Sequence, residues 1–169
     1  KREGDRLMLE GFDPCAILLN NDLSGGVPEI LKGVKQPVIP PLHAGWHARR
    51  KSTHFAAYRD VAAEFGQLIG IDPWLVDPYF ETCGKINFQE RQGEDCLATR
   101  VDKLLEKIRE KYREYRIEQE PFVIVKADAG TYGMGIMTAK SADDVRELNR
   151  KQRNKMAVVK EGLEVSEVI

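Results

Sequence analysis

Lys126 and the three glycines that follow it, Gly130, Gly133 and Gly135, are the residues of this chain whose types and spacing point most clearly to chemistry. They lie in FVIVKADAGTYGMGIMT, residues 122–138. There the apolar run Phe122-Val123-Ile124-Val125 ends on the lysine, and a second apolar run resumes at Ile136-Met137. Glycine has no side chain to hold a ligand off, so the loop's N–H groups can approach phosphate oxygens closely. The lysine adds a compact positive charge on the same side. Strand, lysine, glycine loop, strand is thus an arrangement for holding a polyphosphate. The alternative is a tight hairpin whose glycines serve only the turn.

The spacing Gly-x-x-Gly-x-Gly separates this loop from several better-known phosphate binders. No Gly-Lys-Ser/Thr follows the glycines, so it is not a P-loop. The dinucleotide fingerprint requires Gly-x-Gly-x-x-Gly between a strand and a helix, whereas here a strand follows. Protein kinases cover their nucleotide with a glycine hairpin, but the kinase motifs His-Arg-Asp and Asp-Phe-Gly are absent from this sequence. The pattern resembles the ATP-grasp arrangement, in which a strand-end lysine reaches a phosphate and a glycine hairpin closes over the nucleotide. That resemblance implies a phosphate contact at Lys126 and a covering loop of Gly130, Thr131, Tyr132, Gly133, Met134 and Gly135. Asp128 departs from it, since a carboxylate beside phosphates is repelled. We expect Asp128 to bond the backbone of its own loop. Lys160 ends the run Ala157-Val158-Val159 as Lys126 ends its own, and is a candidate second phosphate or nucleotide contact.

A second cluster lies at His43, His47 and His54, beside Trp46, Arg49, Arg50 and Lys51. His43 and His47 are spaced as on a zinc-protease helix, but Pro40, Pro41 and Gly45 disfavour a helix and the glutamate of His-Glu-x-x-His is missing. Two readings stay open. Arg49 and Arg50 could hold a carboxylate or phosphate through arginine's planar fork, with His43 orienting a substrate. Equally, the run could be a solvated charged stretch before a helix. No metal ligands are assigned.

These residues need elements to position them. Residues 52–69 carry apolar side chains at helical spacing, from Phe55 to Ile69, and Gly70 ends the pattern. Residues 97–115 form a second helix, with one apolar stripe (Leu97, Val101, Leu104, Leu105, Ile108) and an opposite face of lysine, arginine and glutamate. Asp72-Pro73-Trp74 opens a short turn capped by the aspartate. Val27–Leu31 reads as a helical turn with Pro28 near its start. Cys15–Leu19 reads as a buried strand and Val38-Ile39 as a strand between breakers. Residues 79–88 are ambiguous. Ser141 opens a helix through Val145 and Leu148, with Asp144 completing an approximate capping box. Ala157–Val159 and Val165–Ile169 are candidate strands. The charged run Arg150-Lys151-Arg153-Lys155 reads as a solvated face. Alternating strands and helices favour an α/β or α+β fold.

The chain has 169 residues, 42% hydrophobic and 31% charged, with a formal net charge of −1. A general nucleic-acid binder needs a basic excess, so none is expected. No apolar run approaches the roughly 20 residues of a membrane span. The three cysteines, Cys15, Cys83 and Cys96, are widely spaced and suggest a reducing cytoplasm more than a disulfide framework. Lys1 and the apolar stop at Val165–Ile169 suggest a segment of a longer protein.

Four stretches taken together, 20–24, 40–58, 125–138 and 148–169, resemble one bacterial type of glutamate–cysteine ligase. The resemblance implies that ATP phosphorylates the γ-carboxylate of glutamate and that the amine of cysteine displaces the phosphate. It implies magnesium on the ATP, with the metal carboxylates and most of the adenine pocket beyond Ile169. It also implies a division into residues 1–120, carrying substrate-side segments, and residues 121–169, the first part of an ATP-grasp domain. The partners expected are the small molecules glutamate, cysteine and ATP, with self-association left open. Other readings keep the nucleotide site but change the amine acceptor, as in a glutathione synthetase-like ligase, or reduce the chain to an ATP-binding module without catalysis.

Overall fold

The computed structural model describes residues 1–46, 48–130, 133–158 and 164–169. The chain forms two compact units, Lys1–Arg49 and Arg50–Ile169. Its secondary structure is mixed helix and strand in small sheets.

In the first unit, β1 (Arg2–Glu3) and β2 (Arg6–Leu7) form an antiparallel pair, and β3 (Ile17–Leu18) lies parallel to β4 (Val38–Ile39). A 3-10 turn at Glu29–Leu31 follows Pro28, as the sequence suggests. Gln36 is buried and stitches the unit together. Its amide nitrogen donates to the carbonyls of Leu7 and Pro14 at 2.9 and 2.8 Å, and its oxygen accepts from the Leu7 N–H at 2.6 Å. The expected buried strand at Cys15–Leu19 is shorter than anticipated, and Leu18 is 79% exposed. A two-stranded ribbon alternates its side chains and leaves one face uncovered.

The second unit carries helices α1 (Lys51–Ile69), α2 (Glu94–Glu114), α3 (Asp143–Arg146) and α4 (Arg150–Ala157). Its strands are β5 (Cys83–Gly84), β6 (Val123–Lys126), β7 (Ile136–Ala139) and β8 (Glu167–Val168). β6 and β7 form an antiparallel hairpin in the register Val123↔Ala139 to Lys126↔Ile136. β8 pairs antiparallel with β5 and bridges Ala127 through Val168. Lys126 and Ile169 exchange backbone hydrogen bonds at 2.9 Å in both directions. The last residues of the chain thereby brace the strand that carries Lys126.

The α2 stripe of Leu97, Ala98, Val101 and Leu105 packs into a core with Val123 and Val125 of β6, Val145 of α3 and Met156 of α4. Helix α1 forms as its spacing predicts, but its apolar side chains are largely solvent-facing: only Ala62 and Gly66 are buried, while Val61 is 62% and Leu68 84% exposed. Asp72 caps the turn at Pro73–Leu75 by accepting from the Trp74 N–H. The helix expected from Ser141 to Leu148 stops at Arg146, because Asn149 starts a new helix with a full capping box to Gln152. Ala157 ends α4 instead of opening a strand. The run from Arg150 to Lys155 is accordingly helical. Among the described residues no helix is long and apolar enough to cross a membrane.

Candidate functional site

β6 alternates its side chains across the sheet. Val123 and Val125 enter the core, so Lys126 shares the opposite face with Ile124. The Lys126 ammonium lies 5.6 Å from the centroid of the Phe55 ring on α1. That distance suits a cation held over an aromatic face. A cleft of about 490 Å³ opens beside it, lined by Phe55, Trp74, Tyr112, Phe122, Ile124 and Lys126 among others.

Beyond Lys126 the hairpin narrows once more, where the Ala127 N–H donates to the Gly135 carbonyl at 3.2 Å. Gly130, Gly133 and Gly135 hold φ of +92°, +67° and +61°. In this left-handed region a side chain is strained, so the turn itself demands glycine. A Cβ on Gly135 would meet Val165, Ala127 and Met156 at 3.5–3.6 Å, ordinary contact distances. The glycines thus serve the turn; Gly135 is buried there, while Gly133 is exposed.

Among the described residues the Asp128 carboxylate bonds helix α1, where its own loop was the expected partner. One carboxylate oxygen accepts from the Ser52 N–H and the other from the Ser52 hydroxyl, both at 2.7 Å. The Asp128 carbonyl accepts from the Lys51 N–H at 3.0 Å. Arg50 at the helix N-cap provides no side-chain cap of its own, so the hairpin supplies the acceptors that the first turn lacks. Lys51 returns the bond. Its ammonium donates to the carbonyls of Ala127, Gly130 and Asp128 at 2.7, 3.1 and 3.3 Å. Helix start and loop are therefore locked reciprocally.

The lock gathers charge. Arg50 lies 3.6 Å from the Glu167 carboxylate, and the Glu167 carbonyl accepts from the Asp128 N–H at 3.0 Å. Lys51 is held below the ordinary lysine range by burial first and then by the charge of Lys126. Asp128 opposes that shift and Arg50 adds to it. Three cations, Arg50, Lys51 and Lys126, thus gather around the hairpin base with the carboxylates of Asp128 and Glu167. Asp128 is 6% exposed and both its oxygens are committed to Ser52. An anion arriving at the hairpin would find cations already positioned, at little reorganisation cost.

Of the residues singled out from the sequence, Lys126, Gly130, Gly133, Met134, Gly135 and Arg50 belong to this second unit. Met134 is exposed. His43 and Arg49 belong to the first unit. His43 sits in a 3-10 turn at Leu42–Ala44. Arg49 lies over the Trp46 ring at 4.6 Å and donates to the Ala44 carbonyl at 3.0 Å. Thr131, Tyr132, Lys160 and His47 fall outside the described residues. Lys51, named in the basic cluster but given no role there, and Ser52 are the site residues whose part the sequence did not reveal. Nothing local marks them, because their partners lie more than seventy residues away. Among the described residues no group of three or more histidine, cysteine, aspartate or glutamate side chains is placed to hold a metal ion.

The glutamate-cysteine ligase family, GshA, matches residues 1–169. A crystal structure from Methylobacillus flagellatus KT, of a protein provisionally named gamma-glutamylcysteine synthetase, is 70% identical and superposes with a TM-score of 0.84. The match covers 99% of this chain and 40% of that protein, so this chain spans well under half the length of its relative. No curated protein matches it.

Proposed function

This chain belongs to the glutamate–cysteine ligase family, and from that premise we propose that it forms part of an enzyme joining the γ-carboxylate of glutamate to the amine of cysteine at the expense of ATP. The observation that carries the reading is Lys126. It ends β6 beside a hairpin turned by three positive-φ glycines, with Lys51 and Arg50 gathered close by. The relative's name, gamma-glutamylcysteine synthetase, describes the same ligation.

In this reading, residues 121–169 are the first part of an ATP-grasp nucleotide domain and residues 1–120 carry substrate-side segments. Lys126 contacts a phosphate, and the loop from Gly130 to Gly135, Thr131, Tyr132 and Met134 included, covers the nucleotide. Lys160 is assigned a second contact. Arg49 and Arg50 are assigned to a substrate carboxylate or phosphate, with His43 orienting the substrate. A carboxylate is a poor electrophile. A carboxylate oxygen of glutamate therefore attacks the γ-phosphorus and ADP leaves. The cysteine nitrogen then attacks the acyl carbon, phosphate leaves and the amine loses a proton. Such transfer depends on positioned cations more than on a covalent nucleophile. The donor set at the hairpin fits a polyphosphate. Among the described residues no group of three or more histidine, cysteine, aspartate or glutamate side chains is placed to hold magnesium. The three free cysteines are in keeping with work in a reducing cytoplasm.

The test is phosphate release by the full-length protein with ATP, magnesium and glutamate, with and without cysteine. Release that requires cysteine, with a product of the mass of γ-glutamylcysteine, is expected. Release with another amine but not with cysteine would replace the substrate. ATP binding without turnover would reduce the chain to a nucleotide-binding module.

A further inference from the structure

Cys83 in β5 and Cys96 in the first turn of α2 bring their sulfurs to 3.2 Å. Their surroundings differ. Cys83 is buried and Cys96 is exposed. Arg100, one helical turn beyond Cys96, stands beside its sulfur and also pairs with Glu81 at 2.9 Å. A disulfide needs sulfurs about 2.0 Å apart, so closure asks for a further approach of roughly 1 Å.

We propose that Cys83 and Cys96 are a redox-active dithiol that closes to an intrachain disulfide by exchange with a low-molecular-weight disulfide. Exposure sets the order of events. The sulfur of Cys96, as thiolate, attacks one sulfur of the small disulfide. That S–S bond breaks, one half leaves as a thiolate and the other stays bonded to Cys96. Cys83 then gives its proton to solvent and its sulfur attacks that of Cys96. The mixed disulfide breaks and the second small thiolate leaves. Two protein thiols are oxidised, and one small disulfide is reduced to two thiols. Burial first, and then the neighbouring Cys96 sulfur, push the Cys83 thiol up to about 11. Cys83 is thus the resolving thiol and not the first to attack. The bond would fasten the start of α2 to β5, the strand that pairs Cys83 with Val168 of β8.

Reduced full-length protein, incubated with 2-hydroxyethyl disulfide, alkylated and digested, tests this by mass mapping. The expected result is a peptide pair linked through Cys83 and Cys96, lighter by two hydrogens than its reduced parts and lost on treatment with dithiothreitol. Exposed Cys15 serves as the internal standard and carries only the hydroxyethyl adduct. Cys83→Ser should trap that adduct on Cys96, and Cys96→Ser should abolish the linked peptide and return Cys83 as an alkylated free thiol. Cys96 is exposed, so its variant keeps the test valid should Cys83→Ser fail to fold. Recovery of Cys83 unlinked from wild-type protein whose Cys15 is modified would overturn the proposal.

Discussion

The carboxylate of Asp128 caps helix α1 from the glycine hairpin, accepting from both the N–H and the hydroxyl of Ser52 at 2.7 Å. A helix start normally takes its cap from the preceding residue, but here that residue is Arg50, whose side chain makes no cap. The hairpin is thereby tied to a long helix by a buried carboxylate. A carboxylate near the helix N-terminus is also favoured by the helix dipole.

Asp128→Ala should therefore cost stability as well as loop position. Losing a cap and leaving the Ser52 donors without their acceptor should lower unfolding free energy by about 1–3 kcal/mol. Ser52→Ala should cost about 1 kcal/mol. The double variant should lose less than the sum, because both changes break the same contact. Urea denaturation of the three variants measures this, and strict additivity would break the link between the two residues.

Lys51 binds loop carbonyls and so acts on a phosphate ligand indirectly, by positioning. Lys51→Met should leave the carbonyls of Ala127 and Gly130 without their donor. We expect ATP affinity of the full-length protein to fall about tenfold, equivalent to about 1.4 kcal/mol. Calorimetric titration of a nonhydrolysable ATP analogue would show it, and an unchanged affinity would remove Lys51 from the site.

Gly66 offers a test of α1 where the usual expectation reverses. Replacing glycine by alanine inside a helix normally gains up to about 1 kcal/mol. Here a Cβ would lie 2.8 Å from Pro73 Cγ and 3.0 Å from the Ile71 carbonyl oxygen. The proline ring and the backbone cannot swing aside as a flexible side chain could. Gly66→Ala should thus lower the melting temperature, and a rise would mean that the turn after α1 yields easily.

Acid should weaken the Asp72 junction in a defined window. The Asp72 carboxylate accepts from the Lys111 ammonium at 2.6 Å, the Trp74 N–H at 2.9 Å and the Tyr115 hydroxyl at 2.9 Å. The Lys111 bond above all lowers its pKa from 3.8 to about 2. A carboxylate depressed on folding stabilises above its unfolded pKa, and that contribution is lost as pH falls through the folded value. The stability gap between wild type and Asp72→Asn should close between pH 3.8 and about 2. Melting curves across that range check it, and a constant gap would contradict the assignment.

Local signals made much of this legible from sequence. The apolar spacing of residues 97–115, the Asp72-Pro73 turn and the strand–glycine–strand segment each encode their element within a few residues, and the structure forms each of them. Helix α4 escaped because its run from Arg150 to Lys155 has no apolar stripe. The usable signal was its capping box, Asn149 with Gln152. The stripe on α1 predicted a helix correctly but not its environment, since periodicity reports an apolar face and not what covers it. Asp128 and Lys51 depend on residues more than seventy positions away, and a single sequence carries no sign of such pairings.

The most direct test of the account is the Lys126→Ala substitution in the full-length protein, read as the ATP dependence of cysteine-dependent phosphate release with thermal melting as the folding control. The account predicts a KM for ATP raised at least tenfold, about 1.4 kcal/mol or more of lost interaction, in a protein that melts as wild type does. Wild-type KM and turnover in the variant would contradict it, and would leave the glycine hairpin as a turn with no role in holding the nucleotide.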